Sequence, residues 1–341
     1  MNRSGVPEPD IDYAPKSYIC RRAQEPLVLD GRLDKPFWAA ADWTDEFVDI
    51  EGDRRPKPAK RTRVKMLWDD DYFYFAAELI EDQIWATLTE RDSVIFYDND
   101  FEIFIDPDGD SHQYYEFEIN ALNTVWDLLL VKPYRDGGPP VNGWDMNGLR
   151  TAVHIDGELN KPGAANRMWS VEVAMPWSSL RECAAEARPP APGEFWRVNF
   201  SRVEWRVEAA GGEYRKVINS DTGKPYPEDN WVWSPMGLVN MHYPELWGYV
   251  LFADGDGRHS FELPEDERVK WELRKLYYRE RNYFAEHGKY TKDMKSLMRD
   301  GEQWSIKPEA ETTRSLFQIS APSTDGKSVF CIREDGKLWK E

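Results

Sequence analysis

The sequence predicts an all-β protein: an antiparallel β-sandwich of jelly-roll type, with a C-terminal α+β appendage that contains one long helix. Three observations predict it. Strand-like runs punctuated by turn residues recur from residue 27 to about 255, with little long-helix periodicity among them. The chain holds 16 Trp, 16 Tyr and 15 Phe on an otherwise polar background, and flat rings fill the space between two sheets well. Beyond residue 263 the apolar spacing changes from that of a strand to that of a helix.

Residues 1–26, with Pro7, Pro9, Pro15 and Pro26, read as an extended lead-in along the domain surface. Residues 27–255 form the sandwich and residues 256–341 the helix plus a small β-hairpin unit. In order, Leu27 to Leu29 is a short strand and Asp30-Gly31 a turn. Asp34-Lys35-Pro36 opens a short helix, with Asp30 and Asp34 as caps and Phe37 and Trp38 plugging one end of the core. Thr62–Trp68 and Tyr72–Leu79 form a hairpin around Asp69, Asp70 and Asp71. Clustered Asp residues make turns, but Asp69, Asp71 and Asp82 also offer oxygen ligands to calcium.

The stretch from Phe96 to Asp127 organises the rest. Asp100 to Asp106 and Gln113 to Asn120 flank Pro107-Asp108-Gly109-Asp110 and read as a second hairpin. Alternation gives Phe101, Ile103, Ile105, Tyr115, Phe117 and Ile119 to the core. The opposite face carries Glu102, Phe104, Asp106, Tyr114, Glu116, Glu118 and Asn120. Rings mixed with carboxylates and an amide suit a shallow site for a polar ligand.

Further strands are expected at Val125–Val131, Arg150–His154, Trp169–Pro176, Phe195–Trp205 and Tyr249–Phe252. Residues 211–247 show few strand signals, although three Trp there need something to pack against. From Pro264 to Gly288, Val269, Leu273, Leu276, Tyr277 and Phe284 mark an amphipathic helix with acids first and Gly288 as its cap. Thr291–Met298 reads as a shorter helix. Ser315–Ser320, Val329–Arg333 and Leu338-Trp339 read as a hairpin or three-stranded sheet. This C-terminal stretch resembles the soluble half of pilin-type proteins without their apolar N-terminal helix, and is read as an accessory packing unit.

Composition excludes several classes. A formal charge of −18 is repelled by nucleic acid and anionic membranes. No apolar run approaches the length of a membrane span, so no membrane insertion is expected. Cys20, Cys183 and Cys331 lie far apart, and His112, His154, His242, His259 and His287 lack zinc-hydrolase spacing.

LDGRLDKPFWAAADW, VKMLWDDDYFYFAAEL, YDNDFEIFIDPDGD, YYEFEINALNTVWD, WSVEVAMPWSSL and WSPMGLVNMHYPELWGYVLF, in that order, resemble the family-nine carbohydrate-binding modules over residues 27 to 253. The resemblance implies a β-sandwich that holds sugar-chain ends between two rings, structural calcium, no organic cofactor, and an extracytoplasmic location. MNRSGVPEPDIDYAPK lacks the apolar core of a signal peptide, so export implies a leader already removed.

Carried over, the family's acid falls on Glu102, its first stacking ring on Phe96, where a Trp is expected, and its second ring on Trp233. Tyr97 can substitute for the first. Glu118 stands where a basic residue is usual, and Asn120, Trp126 and Asn230 supplement the site.

The first functional reading is therefore noncatalytic binding of an oligosaccharide or polysaccharide. The second is a glycoside hydrolase that uses Glu102 and Glu118 as paired carboxylates. The third is a haem-binding sandwich with Met66, Met175 or His154 as ligands.

Overall fold

The hairpin at the centre forms as its alternation requires. Phe101 lies opposite Ile119 and Ile103 opposite Phe117, and all six inward side chains join one buried cluster. Its turn is closed by Asp106, whose carboxylate accepts hydrogen bonds from the amides of Gly109 and Ser111, each at 3.0 Å.

A computed structural model describes residues 5–255 and 259–341. Residues 1–4 of the lead-in, and residues 256–258 at the expected start of the C-terminal unit, lie outside the described residues.

In chain order the strands are β1 (Ser17–Arg22), β2 (Val48–Asp49), β3 (Thr62–Trp68), β4 (Tyr72–Ile80), β5 (Asp100–Asp106), β6 (Tyr114–Asn120), β7 (Val125–Leu130), β8 (Pro140–Val141), β9 (Arg150–Asp156) and β10 (Met168–Pro176). The short helix α1 (Trp177–Leu180) leads to β11 (Phe195–Glu204), β12 (Val207–Ala210), β13 (Glu213–Lys216), β14 (Asp229–Val232) and β15 (Gly248–Ala253). The long helix α2 (Glu265–His287) precedes β16 (Glu309–Thr312), β17 (Phe317–Pro322), β18 (Val329–Arg333) and β19 (Leu338–Lys340).

One mixed sheet of 13 strands runs β8-β7-β6-β5-β11-β15-β1-β3-β4-β10-β9, with β14 and β2 attached to β11. It curls back on itself so that its two halves enclose a core. Phe200 of β11 marks the junction, with its ring 5.8 Å from Phe101 in its own half and 5.9 Å from Phe75 of β4 in the facing half.

The lead-in is more than a surface strap. β1 sits inside the sheet and runs parallel to both β15 and β3, so the sandwich is antiparallel everywhere except at this strand. Tyr18 and Cys20 fill core positions, and the Tyr18 hydroxyl donates to the Asp42 carbonyl at 2.6 Å. A short half-polar run beside prolines gives little strand signal, because its partners are remote in sequence.

Other expectations change in detail. Leu27 to Leu29 forms no strand. The turn Pro36–Ala40 begins without a side-chain cap, so Asp34 does not cap it, whereas Asp30 receives the Arg32 amide at 2.9 Å. Residues 211–247 contain β13 and β14, Thr291–Met298 contracts to a 3-10 turn at Met294–Leu297, and the chain closes with a four-stranded sheet where a hairpin or three strands are expected.

Buried charges are widely matched. Glu172 is fully buried and accepts from Trp38 Nε1 at 2.7 Å, the amides of Gly31 and Asp30 at 2.9 and 3.0 Å, and Lys35 Nζ at 2.8 Å. Arg202, 1% exposed, pairs with Glu81 at 2.7 Å and Glu204 at 2.9 Å.

Helix α2 forms where expected. Glu265, Asp266 and Glu267 occupy its first turn, and Gly288 ends it at φ 69°. Its apolar face is set against the outer face of the β5–β7 half. There Val269, Leu273, Leu276, Tyr277 and Tyr278 share one cluster with Phe104, Tyr114, Leu128, Leu130 and Trp247. The β16–β19 sheet adds Phe317, Ile319, Phe330 and Ile332 to that cluster. Among the described residues no helix is long and apolar enough to cross a membrane.

Candidate functional site

The outer face of the central hairpin is a grid whose rungs are set by strand register. One rung runs Val232, Ser201, Glu102, Glu118, Trp126 across β14, β11, β5, β6 and β7. The neighbouring rungs hold Asp100 with Asn120, and Phe104 with Glu116 and Leu128. The C-terminal unit covers the rungs from Phe104 toward Arg197, so the face is not the open shelf that alternation alone suggests. Its margin lies at the Glu102–Trp126 rung.

Four carboxylates crowd this margin. Asp100 is 0% exposed, Glu102 5%, Glu116 6% and Glu118 1%. Their hydrogen bonds are sparse. Glu118 Oε2 accepts from the Phe96 amide at 2.9 Å, and Asp100 Oδ1 accepts from the Val203 amide at 3.4 Å. Burial pushes Glu102 up to about 7. Burial, and after it the neighbouring acids, raises Asp100, Glu116 and Glu118 well above the ordinary carboxylate range. The Ser201 hydroxyl opposite Glu102 partly offsets the effect of burial on that acid, and Asp100 Oδ2 and Trp126 Nε1 are buried beside them without a hydrogen-bond partner.

Rings stand around the acids. Phe96 is half-buried and 4.9 Å from Tyr97, which is 55% exposed. The Trp205 indole fixes this segment by donating to the Phe96 carbonyl at 2.8 Å. Trp126 is half-buried at the opposite end of the rung. Tyr134, 42% exposed, lies 4.5 Å from the His242 ring. Burial, with the charges of Glu116 and Glu118, pushes the Tyr134 hydroxyl up to about 12. The sequence does not single out Tyr134 and Glu116 as site residues, although the rich Gly and Pro content after Lys132 marks a loop able to hang over a face.

The structure thus brings Phe96, Tyr97, Glu102, Glu118 and Trp126 together. Trp233 does not join them. It is 1% exposed inside the sandwich core, its ring 5.8 Å from Phe200. The cause is parity: Val232 faces outward into the second cluster, so Trp231 and Trp233 face inward. Asn230 shares the outward parity of Val232 and lies opposite Val203.

Asn120 is committed to its own turn. It donates to the Leu88 carbonyl at 2.8 Å and Asp98 at 3.1 Å, and accepts from the amides of Leu122 and Thr124.

The expected calcium ligands separate. Asp69 and Asp71 precede β4 and Asp82 comes after it, so the nine residues of that strand hold them about 30 Å apart. Asp69 closes the turn instead, accepting from the amides of Asp71 and Tyr72, both at 2.8 Å. Met66 and Met175 are core residues, packed with Phe73 and Phe75, and His154 lies on β9 opposite Ser170. Packing accounts for both sulfurs without haem.

Three other acidic groups each place a ligand oxygen from every member within 4.8 Å of the rest: Asp92, Asp127 and Asp145; Asp106, Asp108 and Asp110; and Asp100, Glu102 and Glu118. The first shares Arg91, and the second is tied to its own loop amides and to Lys337.

Residues 29–188 match the sequence model of the family described as carbohydrate family 9 binding domain-like. The chain is similar in fold to a protein from Bacteroides uniformis ATCC 8492 proposed as carbohydrate-binding, with 15% identity and a TM-score of 0.51 over 70% of this chain and 100% of that one. It is also similar to a family 9 carbohydrate-binding module from Caldicellulosiruptor kristjanssonii. The cellotriose complex gives 15% identity and a TM-score of 0.43 over 73% of this chain and 99% of that one. The glucose complex gives the same identity and score over 72% and 100%. No curated protein matches the chain. Residues 29–188 are thus similar in sequence to the carbohydrate family 9 binding domain-like family, and they lie within the β-sandwich.

Proposed function

We propose that the protein binds carbohydrate without cleaving it, at the margin of the outer face where Glu102, Glu116 and Glu118 lie among Phe96, Tyr97, Trp126 and Tyr134. The observation that carries this reading is that the exposed rings of Tyr97 and Tyr134 and the half-buried rings of Phe96 and Trp126 stand around carboxylates that no cation pairs among the described residues. A pyranose offers C–H faces to rings and hydroxyl donors to carboxylates, so both kinds of group are used. The ligand class is an oligosaccharide or a polysaccharide end, met outside the cytoplasm.

Hydrolysis fits less well. Glu102 and Glu118 are adjacent on one rung and point the same way, whereas a glycosidase sets its two carboxyls on either side of the scissile bond.

Titration calorimetry against a glycan panel tests the reading. Binding should be seen for at least one glycan, and Tyr134→Ala or Trp126→Ala should weaken it tenfold or more. No heat with any glycan, or unchanged affinity in both variants, would overturn it.

A further inference from the structure

We infer that Lys216 of β13 determines specificity at the carbohydrate site and selects a saccharide that carries a carboxylate, that is, one built with uronic-acid residues. The inference rests on the sugar reading above and deepens it, because it names the class of sugar.

Placement comes first. β12 and β13 form a two-stranded arm apart from the main sheet, with Val207 opposite Lys216. Tyr214 and Lys216 are alternate residues of β13 and share one face. Tyr214 and Val207 pack with Trp85 and Trp205, so that face is turned onto the two indoles. Lys216 Nζ stands 3.2 Å from the Trp205 ring centroid and 5.8 Å from those of Trp85 and Tyr97. Tyr97 is a ring of the proposed sugar site, and the Trp205 indole holds the Phe96 carbonyl beside it. The ammonium therefore borders that site.

Partners come second. Every other half-buried lysine among the described residues reaches a protein oxygen, as Lys35, Lys60 and Lys270 do on Glu172, Glu204 and Glu267, and as Lys65 does on the Trp38 carbonyl. Among the described residues Lys216 has rings and no oxygen. Burial pulls its ammonium down to about 8, and Asp98 and Glu228 oppose this without pairing with it. Asp98 is already engaged by Thr87, Leu88 and Asn120. Ring faces attract a cation but offer its N–H donors no carboxylate lone pair. A carboxylate on the ligand supplies one in a charge-assisted bond, whereas a neutral sugar would bury the ammonium further and leave it unpaired.

The acids of the site do not oppose an anion. Burial pushes Glu102 up to about 7, and burial with the neighbouring acids raises Glu118 well above the ordinary carboxylate range. A neutral carboxyl donates and accepts, so it still serves sugar hydroxyls. Glu228 acts on both Glu102 and Lys216, which sets acid and ammonium in one neighbourhood. A uronic acid keeps the C–H faces that rings stack on and adds only the carboxylate.

The test uses the full chain and calorimetric titration with trisaccharide pairs, in which glucose, galactose or mannose units are matched by the same units carrying a carboxylate at C6. At least one uronic member should bind about tenfold more tightly than its neutral counterpart. Lys216→Met keeps an apolar stem on Trp205 and should bring the ratio to within about twofold of one, while Lys216→Arg and the exposed control Lys224→Met retain it. Salt should shrink the preference of the wild type and leave the Lys216→Met ratio where it is. Circular dichroism checks the fold, and the wild-type pairs alone can refute the inference. Equal or weaker binding of the uronic member in every pair that binds, or a preference that survives Lys216→Met, overturns the inference and leaves the sugar reading standing. No binding of any member, neutral or uronic, overturns both.

Discussion

Arg197 of β11 donates to Glu267 of α2 at 3.0 Å, and both side chains are almost wholly withdrawn from solvent. The guanidinium also lies 3.8 Å from the Tyr249 ring centroid and donates to the Trp247 carbonyl at 2.9 Å. The sandwich and the C-terminal helix are therefore joined by a buried charge pair as well as by apolar packing. Arg197→Ala should cost about 1–3 kcal/mol, because Glu267 loses one of its two cations and keeps Lys270 and the Tyr249 hydroxyl, each at 2.6 Å. Urea denaturation checks this, and a shift under 1 kcal/mol would show that the pair is not buried as described.

Lys35 is the only cation on fully buried Glu172 among its described partners. Lys35→Met should destabilise by about 1–3 kcal/mol despite an added apolar group, since the carboxylate keeps its amide donors but loses its counter-charge. Thermal melts of the variant and of Lys35→Arg separate charge from shape.

Trp233→Ala removes a core ring and should cost about 3–5 kcal/mol. Gly248→Ala should destabilise by about 1–3 kcal/mol, because its new methyl would meet the Trp233 ring. Neither change touches the rings around Glu102. Glycan affinity measured on the folded fraction should therefore stay near wild type, and a selective loss of affinity in Trp233→Ala would contradict the interior placement.

Helix α2 carries two acids with opposite pH behaviour. Burial acts to raise Glu267, yet Arg197 and Lys270 hold it down to about 2. Its contribution is complete above the unfolded value near 4.5 and is lost as pH falls toward 2. Burial pushes Glu280 up to about 7 against the opposing Thr291 amide. Its contribution is complete below about 4.5 and is lost as pH rises through 7. Glu280→Gln should therefore flatten the decline in stability between pH 5 and 7.5, and Glu267→Gln the decline below pH 4.5. Urea midpoints across that range check both signs.

Much of the architecture is legible in the sequence because strand alternation is local. The inward set from Phe101 to Ile119, strands β3 to β7, β9 to β11 and β15, and the capped helix α2 are all fixed by spacing within a dozen residues. The elements that escape depend on distant partners. β1 is a strand because β15 and β3 flank it, and β14 exists because β11 accepts it. The candidate site is legible only as geometry: Glu102, Glu118, Phe96, Tyr97 and Trp126 gather, since two hairpin strands and their flanks fix them. Trp233 is misplaced by the sequence reading because a motif aligned by order does not report parity, and Tyr134 escapes it because its place is set by a loop contact with His242.

Phe104, Tyr114, Leu128, Leu130 and Trp247 belong to the β-sandwich by chain position, yet their oily surface is sheltered by helix and strands that lie beyond residue 258. Cutting the chain there would not release a self-sufficient module. It would bare a greasy strip across one side of the remaining piece, and such strips drive clumping. The familiar sandwich has here grown dependent on its own tail.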